Sequence, residues 1–319
     1  MADPVLTIYS YRHYESDRAL FDQFTEATGI EVELVSSKAD ALIERLKSEG
    51  ENSPADILLS SDVGRLHQAK VAGLLQPVTS DFLSERIPEN LRDAEGFWFG
   101  VSQRARVIVY APDRVDASEL STYEALAGPE WRGRLAVRSS SNIYNQSLLA
   151  MLIAENGEEQ AEIWAKEVRR NMARPPQGSD REQMSAVAAG LADATLVNTY
   201  YLGLLQHSES EKDREVAEQL KIFFPNQDGY GTHVNVSGAG VVASSDTIEA
   251  ARKFIEFLVT DEVQAVFPNT TYEYPVVESV PWSPTQQAWG AFKANDIALS
   301  KVGELNKEAI RIFNRAGWE

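Results

Sequence analysis

The chain has 319 residues, enough for two domains, and its 43% hydrophobic content is typical of a globular protein. Its 30 basic and 48 acidic residues give a formal charge of 30 − 48 = −18, which disfavours nucleic acid or anionic lipid as a partner but not a cation. The absence of cysteine excludes zinc-thiolate, iron–sulfur and thiol-nucleophile chemistry. No apolar run approaches the roughly 18–20 residues that a membrane span needs.

The first part of the chain alternates predicted strands with predicted helices. This order predicts a parallel, doubly wound α/β sheet, in which ligands gather at the carboxyl ends of the strands. His13 and Tyr14 follow the first strand and therefore lie at such an end. The predicted strands are 5–10, 30–35 and 56–60, and the predicted helices are 15–28, 39–48 and 65–72.

A second α/β unit is predicted after a crossover strand at 103–110. This strand carries Arg104 and Arg106 where a core strand would carry aliphatic residues. A return crossing is predicted at 229–242. We therefore expect an N-terminal lobe of residues 1–104 and 232–280 and a C-terminal lobe of residues 105–231 and 281–319. The later predicted strands are 134–137 and 194–197, and the later predicted helices are 142–154, 158–172, 181–190, 247–259 and 296–313.

Two adjacent tyrosines, Tyr200 and Tyr201, stand at the predicted start of a helix, directly after a strand. Either Asn198 or Thr199 could cap this helix by accepting a bond from an unpaired backbone N–H. Neighbouring helical side chains diverge by about 100°, so both hydroxyls can reach one ligand only beyond the helix end, where the helix dipole favours negative charge. The pattern favours a metal ion bound by phenolates. The alternative is that both rings pack in a half-buried position with hydrogen-bonded hydroxyls.

Ferric iron is the cation that suits such donors best, because it is hard and highly charged and prefers oxygen ligands. A phenol ordinarily loses its proton at about pH 10. A trivalent ion favours the phenolate, so binding of the ion releases protons. Four phenolates would leave the site with one negative charge, which one arginine could compensate. The predicted phenolates are Tyr14, Tyr144, Tyr200 and Tyr201, with neutral His13 as a fifth donor and Arg104 as the compensating cation.

Several residues compete for these roles. His233, beside the second crossing, is the nearest rival to His13, and Arg106 rivals Arg104. His67 and His207 lie in predicted helices among charged residues and are expected to be solvated. The remaining tyrosines are expected to pack or to lie at the rim of the site; they are Tyr9, Tyr11, Tyr110, Tyr123, Tyr230, Tyr272 and Tyr274.

Four segments resemble the periplasmic ferric-iron-binding proteins of ABC transporters, and the Arg-His-Tyr form of the first is closest to the cyanobacterial-type FutA group. The segments are Ile-Tyr-Ser-Tyr-Arg-His-Tyr at 8–14, Trp-Arg-Gly-Arg-Leu-Ala-Val-Arg-Ser-Ser-Ser at 131–141, Asn-Ile-Tyr-Asn-Gln-Ser-Leu at 142–148 and Asn-Thr-Tyr-Tyr at 198–201. The resemblance implies a bilobal class II periplasmic-binding-protein fold, with two crossovers, that closes on one iron ion. It carries the family's ligands onto His13, Tyr14, Tyr144, Tyr200 and Tyr201.

The resemblance also implies a place in the cell and a partner. We expect a monomeric periplasmic protein that delivers iron to an inner-membrane ABC permease. Residues 1–4 lead directly into a strand, so we expect that the signal peptide is absent from this sequence. Other branches of the family use a synergistic anion, for which five protein donors leave little need.

Two other function classes compete with iron binding. A binding protein of the same fold for a small organic anion or sugar would need a basic, aromatic-lined cleft, whereas this chain clusters phenols with one histidine. An enzyme is not expected, because the sequence lacks His-Glu-x-x-His, Gly-x-Ser-x-Gly and Gly-x-x-x-x-Gly-Lys motifs. The residues leave the oxidation state open, since protonated tyrosines could accompany Fe²⁺.

Overall fold

The computed structural model describes residues 5–12 and 15–318, which form two compact units. The first unit contains the chain up to Gln103, together with Asn235–Trp282 and Ala298–Gly303. The second contains Arg104–Val234, Ser283–Ile297 and the chain from Glu304 onwards. None of the helices in the described residues has the length and apolar character needed to cross a membrane.

The first unit is built on a sheet whose opening strands are parallel, as predicted. Strand β1 pairs in parallel with β2 on one side and with β3 on the other. The helix predicted at 15–28 is confirmed with the same bounds. The elements are β1 (Val5–Ser10), α1 (Glu15–Thr28), β2 (Glu31–Ser36), α2 (Ala39–Glu49), β3 (Ile57–Ser60), α3 (Val63–Val71), β4 (Leu75–Gln76) and α4 (Asp81–Arg86).

Strand β5 (Phe99–Tyr110) begins in the first unit and ends in the second. In the second unit, β7 lies between β5, to which it is antiparallel, and β6, to which it is parallel, and β8 also pairs with β5. The elements after β5 are β6 (Leu135–Ala136), α5 (Ile143–Asn156), α6 (Glu158–Asn171), α7 (Asp180–Ala188), β7 (Ala194–Asn198), α8 (Thr199–Gln206), α9 (Glu211–Glu218) and β8 (Lys221–Phe223).

The return crossing is strand β9 (Val234–Val242), which starts in the second unit and continues in the first. There it pairs antiparallel with β3 and β4. The remaining helices are α10 (Ile248–Leu258), α11 (Asp261–Gln264), α12 (Phe267–Thr270), α13 (Pro284–Trp289) and α14 (Leu299–Ala316).

Aromatic contacts hold helices together within each unit. In the first unit, the ring of Phe24 on α1 meets Phe254 on α10 edge to face, with ring centroids 5.1 Å apart. In the second unit, Trp318 packs against Trp164 on α6 and Phe313 on α14, with centroid distances of 5.8 and 4.8 Å. These contacts bury the apolar faces of amphipathic helices, which is the main source of helix stability in proteins.

Candidate metal-binding site

The tyrosine pair stands where a strand runs directly into a helix. All five residues of β7 are buried, and α8 begins at Thr199 with no intervening loop, so the first turn of the helix is fixed by a buried strand of the second unit. The expected side-chain cap is wrong: Asn198 is the residue before the helix, but its side chain makes no capping bond. The hydroxyl of Thr199 instead accepts a bond from the backbone N–H of Ala105 at 3.4 Å.

The structure brings three of the predicted phenols together. The hydroxyl of Tyr200 donates to the hydroxyl of Tyr144 at 3.3 Å. The rings of Tyr200 and Tyr201 lie against each other, with centroids 4.3 Å apart. Tyr144 is in the first turn of α5, where the side chain of Asn142 accepts a bond from its backbone N–H at 3.0 Å. Three phenols from two helix starts therefore form one cluster.

Three arginine side chains surround the ring of Tyr144. The guanidinium carbon of Arg104, predicted from the sequence, is 5.4 Å from the ring centroid, and those of Arg106 and Arg138 are each 6.0 Å away. Arg104 and Arg106 are fully buried on β5. Arg104 and Arg106 were predicted as alternatives. Both lie beside the Tyr144 ring, together with Arg138.

One carboxylate offsets part of this positive charge. Asp180, the first residue of α7, is completely buried; its carboxylate accepts from Arg106 at 3.1 Å and from Arg138 at 3.3 Å. Asn145 accepts from the other terminal nitrogen of Arg106 at 2.6 Å. Among the described residues, the charged groups named here are three guanidinium groups and one carboxylate, a difference of 3 − 1 = 2 positive charges. Such an environment favours oxygen donors that become negative.

Three residues of this cluster were not predicted from the sequence: Asp180, Arg138 and Asn145. Arg138 and Asn145 lie in the segments that carry the family resemblance, and this position could have identified them as candidates. Asp180 offered none, because an acidic residue at a helix start is usually an exposed partner of the helix dipole.

Burial dominates the proton affinity of Tyr201. Burial, reinforced by the neighbouring Tyr144 and Asp180, raises the pKa of the Tyr201 hydroxyl well above its ordinary value. Burial lowers the pKa of the Arg138 guanidinium, but the nearby Asp180 and Tyr201 raise it by more, so that its pKa is raised overall. Burial therefore favours the neutral form of the Tyr201 phenol, whereas a highly charged metal ion bound to its oxygen would favour the phenolate.

The other two predicted ligands, His13 and Tyr14, lie outside the described residues. The residue before them, Arg12, is anchored in the first unit: its side chain pairs with Asp17 at 3.0 Å and with Glu273 at 2.8 Å. The first unit therefore holds the chain firmly just before these two positions.

The rival histidine, His233, is buried, and its backbone is hydrogen-bonded on both sides. The backbone N–H of His233 donates to the hydroxyl of Tyr123 at 3.0 Å, and its carbonyl accepts from the N–H of Arg106. Burial, with Arg106 and Arg104 nearby, lowers the pKa of His233 to about 3. Of the other two histidines, His207 is exposed, as expected, and contacts Thr285, whereas His67 is half-buried against Gly303.

The chain belongs to the bacterial extracellular solute-binding protein family, whose model matches residues 52–296. It is 50% identical to iron uptake protein A1 of Synechocystis over 314 residues, covering 98% of this chain and 87% of that protein. It is 29% identical to the major ferric iron-binding protein of Neisseria meningitidis serogroup B, covering 98% of this chain and 92% of that protein.

Solved structures agree with this assignment. A Trichodesmium protein described as IdiA or FutA, in complex with iron and citrate ligands, is 51% identical and superposes with a TM-score of 0.96 over 99% of this chain and all of that one. A ferric binding protein from Campylobacter jejuni is 44% identical, with a TM-score of 0.95 over 98% of this chain and all of that one. The predicted periplasmic-binding-protein fold and the resemblance to the FutA group are thus confirmed.

Proposed function

We propose that this protein binds a single ferric ion through tyrosine phenolates and one histidine, and delivers it to an ABC iron-uptake permease. The observation that carries the proposal is the cluster of Tyr144, Tyr200 and Tyr201 beside three guanidinium groups. His13 and Tyr14 are the remaining proposed donors, supplied by the sequence of the first unit.

The chemistry of the cluster favours a hard trivalent cation over an organic anion. Phenol oxygens are neutral until a cation binds them, and then become hard anionic donors. Four phenolates on Fe³⁺ carry a net charge of −1, which the surplus of arginine over carboxylate offsets. An organic anion would instead compete with Asp180 for the same guanidinium groups.

The family supports the proposed cellular role. Relatives carry names such as iron uptake protein and Fe(3+)-binding periplasmic protein. We place this protein in the periplasm, as a monomer that passes its cargo to an inner-membrane permease. Its chemistry requires no catalytic step, because the ion is bound and released unchanged.

Loading with iron under weak buffering tests the proposal. One equivalent of Fe³⁺, supplied as a weak chelate, should give a visible phenolate-to-iron charge-transfer band and release several protons, since each bound phenol must ionise. The chelate without protein serves as the control for both signals. An iron-loaded but colourless protein would indicate Fe²⁺ as the cargo.

Calorimetry decides between iron and the rival ligand class. Citrate or a sugar, titrated without iron, should give no tight binding. Tight binding of either one, together with no band and no proton release on adding iron, would replace the proposal with an organic-ligand-binding protein.

A further inference from the structure

The side-chain amide of Asn198 joins two groups of different chemistry. Its oxygen Oδ1 accepts from Arg106 at 3.0 Å, and its nitrogen Nδ2 faces the hydroxyl of Tyr200 at 3.4 Å. A guanidinium group can only donate, so the amide atom that meets Arg106 must be the oxygen. The NH₂ group is therefore forced to face Tyr200, and Asn198 presents a hydrogen-bond donor to that phenol oxygen.

Asp180 binds both the guanidinium group of Arg106 and the backbone of Asn198. One carboxylate oxygen accepts from Arg106 at 3.1 Å and from the backbone N–H of Asn198 at 3.2 Å. Asp180, Arg106 and Asn198 are all at most 2% exposed, so water does not compete for these bonds. The carboxylate thus holds the guanidinium that orients the amide and also the backbone that carries it.

We propose that Asn198 is a positioning residue, whose amide is locked by Arg106 and Asp180 so that it donates to the oxygen of Tyr200 when that oxygen binds the metal ion. This inference rests on the proposed function and deepens it. The 3.4 Å contact is longer than an ordinary N–H···O bond. Because hydrogen bonds to anionic oxygens are shorter and stronger, we expect this contact to shorten when the oxygen of Tyr200 binds the metal ion.

The lock has a spectroscopic consequence. A hydrogen bond donated to a metal-bound phenolate withdraws electron density from it and orients the ligand. Without the donor, the phenolate gives its electrons more readily to Fe³⁺, and the charge-transfer band moves to longer wavelength. A purely structural role for Asn198 would change stability but would leave this band in place.

Asn198→Asp is the decisive variant, because its carboxylate still accepts from Arg106 but cannot donate to Tyr200. Its iron complex should show a band at longer wavelength and lose iron to a chelator roughly tenfold faster, the scale of one charge-assisted hydrogen bond. Asn198→Leu removes the donor without adding charge and should shift the band in the same direction.

Asn226→Asp is the matched control. Asn226 is also a buried residue of the second unit; it accepts from the N–H of Tyr123 at 2.9 Å and donates to Glu124 at 2.8 Å, and neither bond involves Tyr144, Tyr200 or Tyr201. This variant should lose stability but keep the parental band. If Asn198→Asp and Asn198→Leu also keep the parental band and release rate, the inference is wrong.

An iron-free measurement tests the lock separately. In the NMR spectrum of the apoprotein, the side-chain NH₂ protons of Asn198 should exchange slowly with solvent, and faster in Asp180→Asn. Equal exchange in both proteins would overturn the lock. A parent protein that fails to bind iron would instead overturn the proposed function, whatever the exchange rates show.

Discussion

Removing the hydroxyl of Tyr200 separates a metal ligand from a packing residue. Tyr200→Phe keeps the ring, and with it the 4.3 Å contact with Tyr201, while it deletes one proposed donor oxygen. We expect the iron complex to release its metal faster and to show a shifted visible band, because the number of bound phenolates sets the electron density on the ion. The free energy of unfolding of the apoprotein should fall by only about 1 kcal/mol, the scale of one hydrogen bond.

Tyr123→Phe is the control for that variant. Tyr123 is another fully buried tyrosine of the second unit; its hydroxyl accepts from His233 and donates to the carbonyl of Arg106. Its loss should cost about 1–3 kcal/mol of stability, because a buried backbone group loses its partner, but should leave the visible band unchanged. If Tyr200→Phe keeps the parental band and retention of iron, the packing interpretation of Tyr200 is correct.

His233 should make the protein sensitive to mild acid. Its pKa is about 3 in the folded chain and 6.5 ordinarily, so the unfolded state binds the proton more readily. The stabilisation is complete above pH 6.5 and is lost as the pH falls towards 3, by up to about 1.4 kcal/mol per pH unit. Urea unfolding of the parent and of His233→Gln at pH 7, 5 and 4 measures this.

The difference in unfolding free energy between the parent and His233→Gln isolates the effect of the histidine, because the carboxylates that also titrate are the same in both proteins. The parent should lose more stability than His233→Gln between pH 7 and pH 4. Parallel losses in both proteins would mean that His233 is protonated in the folded state.

At the scale of elements, the local sequence pattern predicted where helices and strands begin, but it did not predict the polar contacts between distant residues. The bounds of α1 agree with the predicted helix, and α8 begins at the predicted strand–helix junction, because apolar periodicity and turn residues are local signals. The pairing of Arg106 with Asp180 joins residues 74 positions apart, and no local pattern encodes it. The local pattern predicted that Asn198 could cap α8, but its side-chain oxygen accepts from the buried guanidinium of Arg106 instead.

One buried arginine, Arg12, forms two ion pairs in the first unit. Arg12 pairs with Asp17 and Glu273, and all three side chains are at least nine-tenths buried. Arg12→Ala should therefore destabilise the protein by about 3–5 kcal/mol, since it leaves two buried carboxylates without their cation. Denaturant unfolding of the apoprotein measures the effect.

Arg45→Ala is the matched control on the neighbouring helix α2. Arg45 is about half exposed and pairs with Glu49 four residues later. An exposed pair of this kind contributes roughly 0–1 kcal/mol. Similar losses for Arg12→Ala and Arg45→Ala would show that the buried carboxylates take up protons or water instead of staying charged.

At the scale of the whole molecule, ferric iron is a ligand that stabilises the folded chain through linkage. A free ligand at 100 times its dissociation constant adds about 2.7 kcal/mol to the free energy of unfolding. Colourless Ga³⁺, which is also hard and trivalent, should stabilise the protein comparably, whereas Mg²⁺ should not. Equal stabilisation by citrate alone would favour the organic-anion alternative.

Residue-resolved hydrogen exchange shows which parts of the chain receive that stabilisation. The proposed donors Tyr144, Tyr200 and Tyr201 start helices of the second unit, whereas His13 and Tyr14 precede α1 of the first. If all five bind the ion, adding Fe³⁺ should slow amide exchange in the first turns of α5 and α8 and also in α1, because opening any of these segments would then require release of a ligand. The variant Tyr200→Phe, treated with the same iron, should show weaker protection in α1 as well as in α8. Protection confined to α5 and α8 would show that the tyrosine cluster binds iron without His13 and Tyr14.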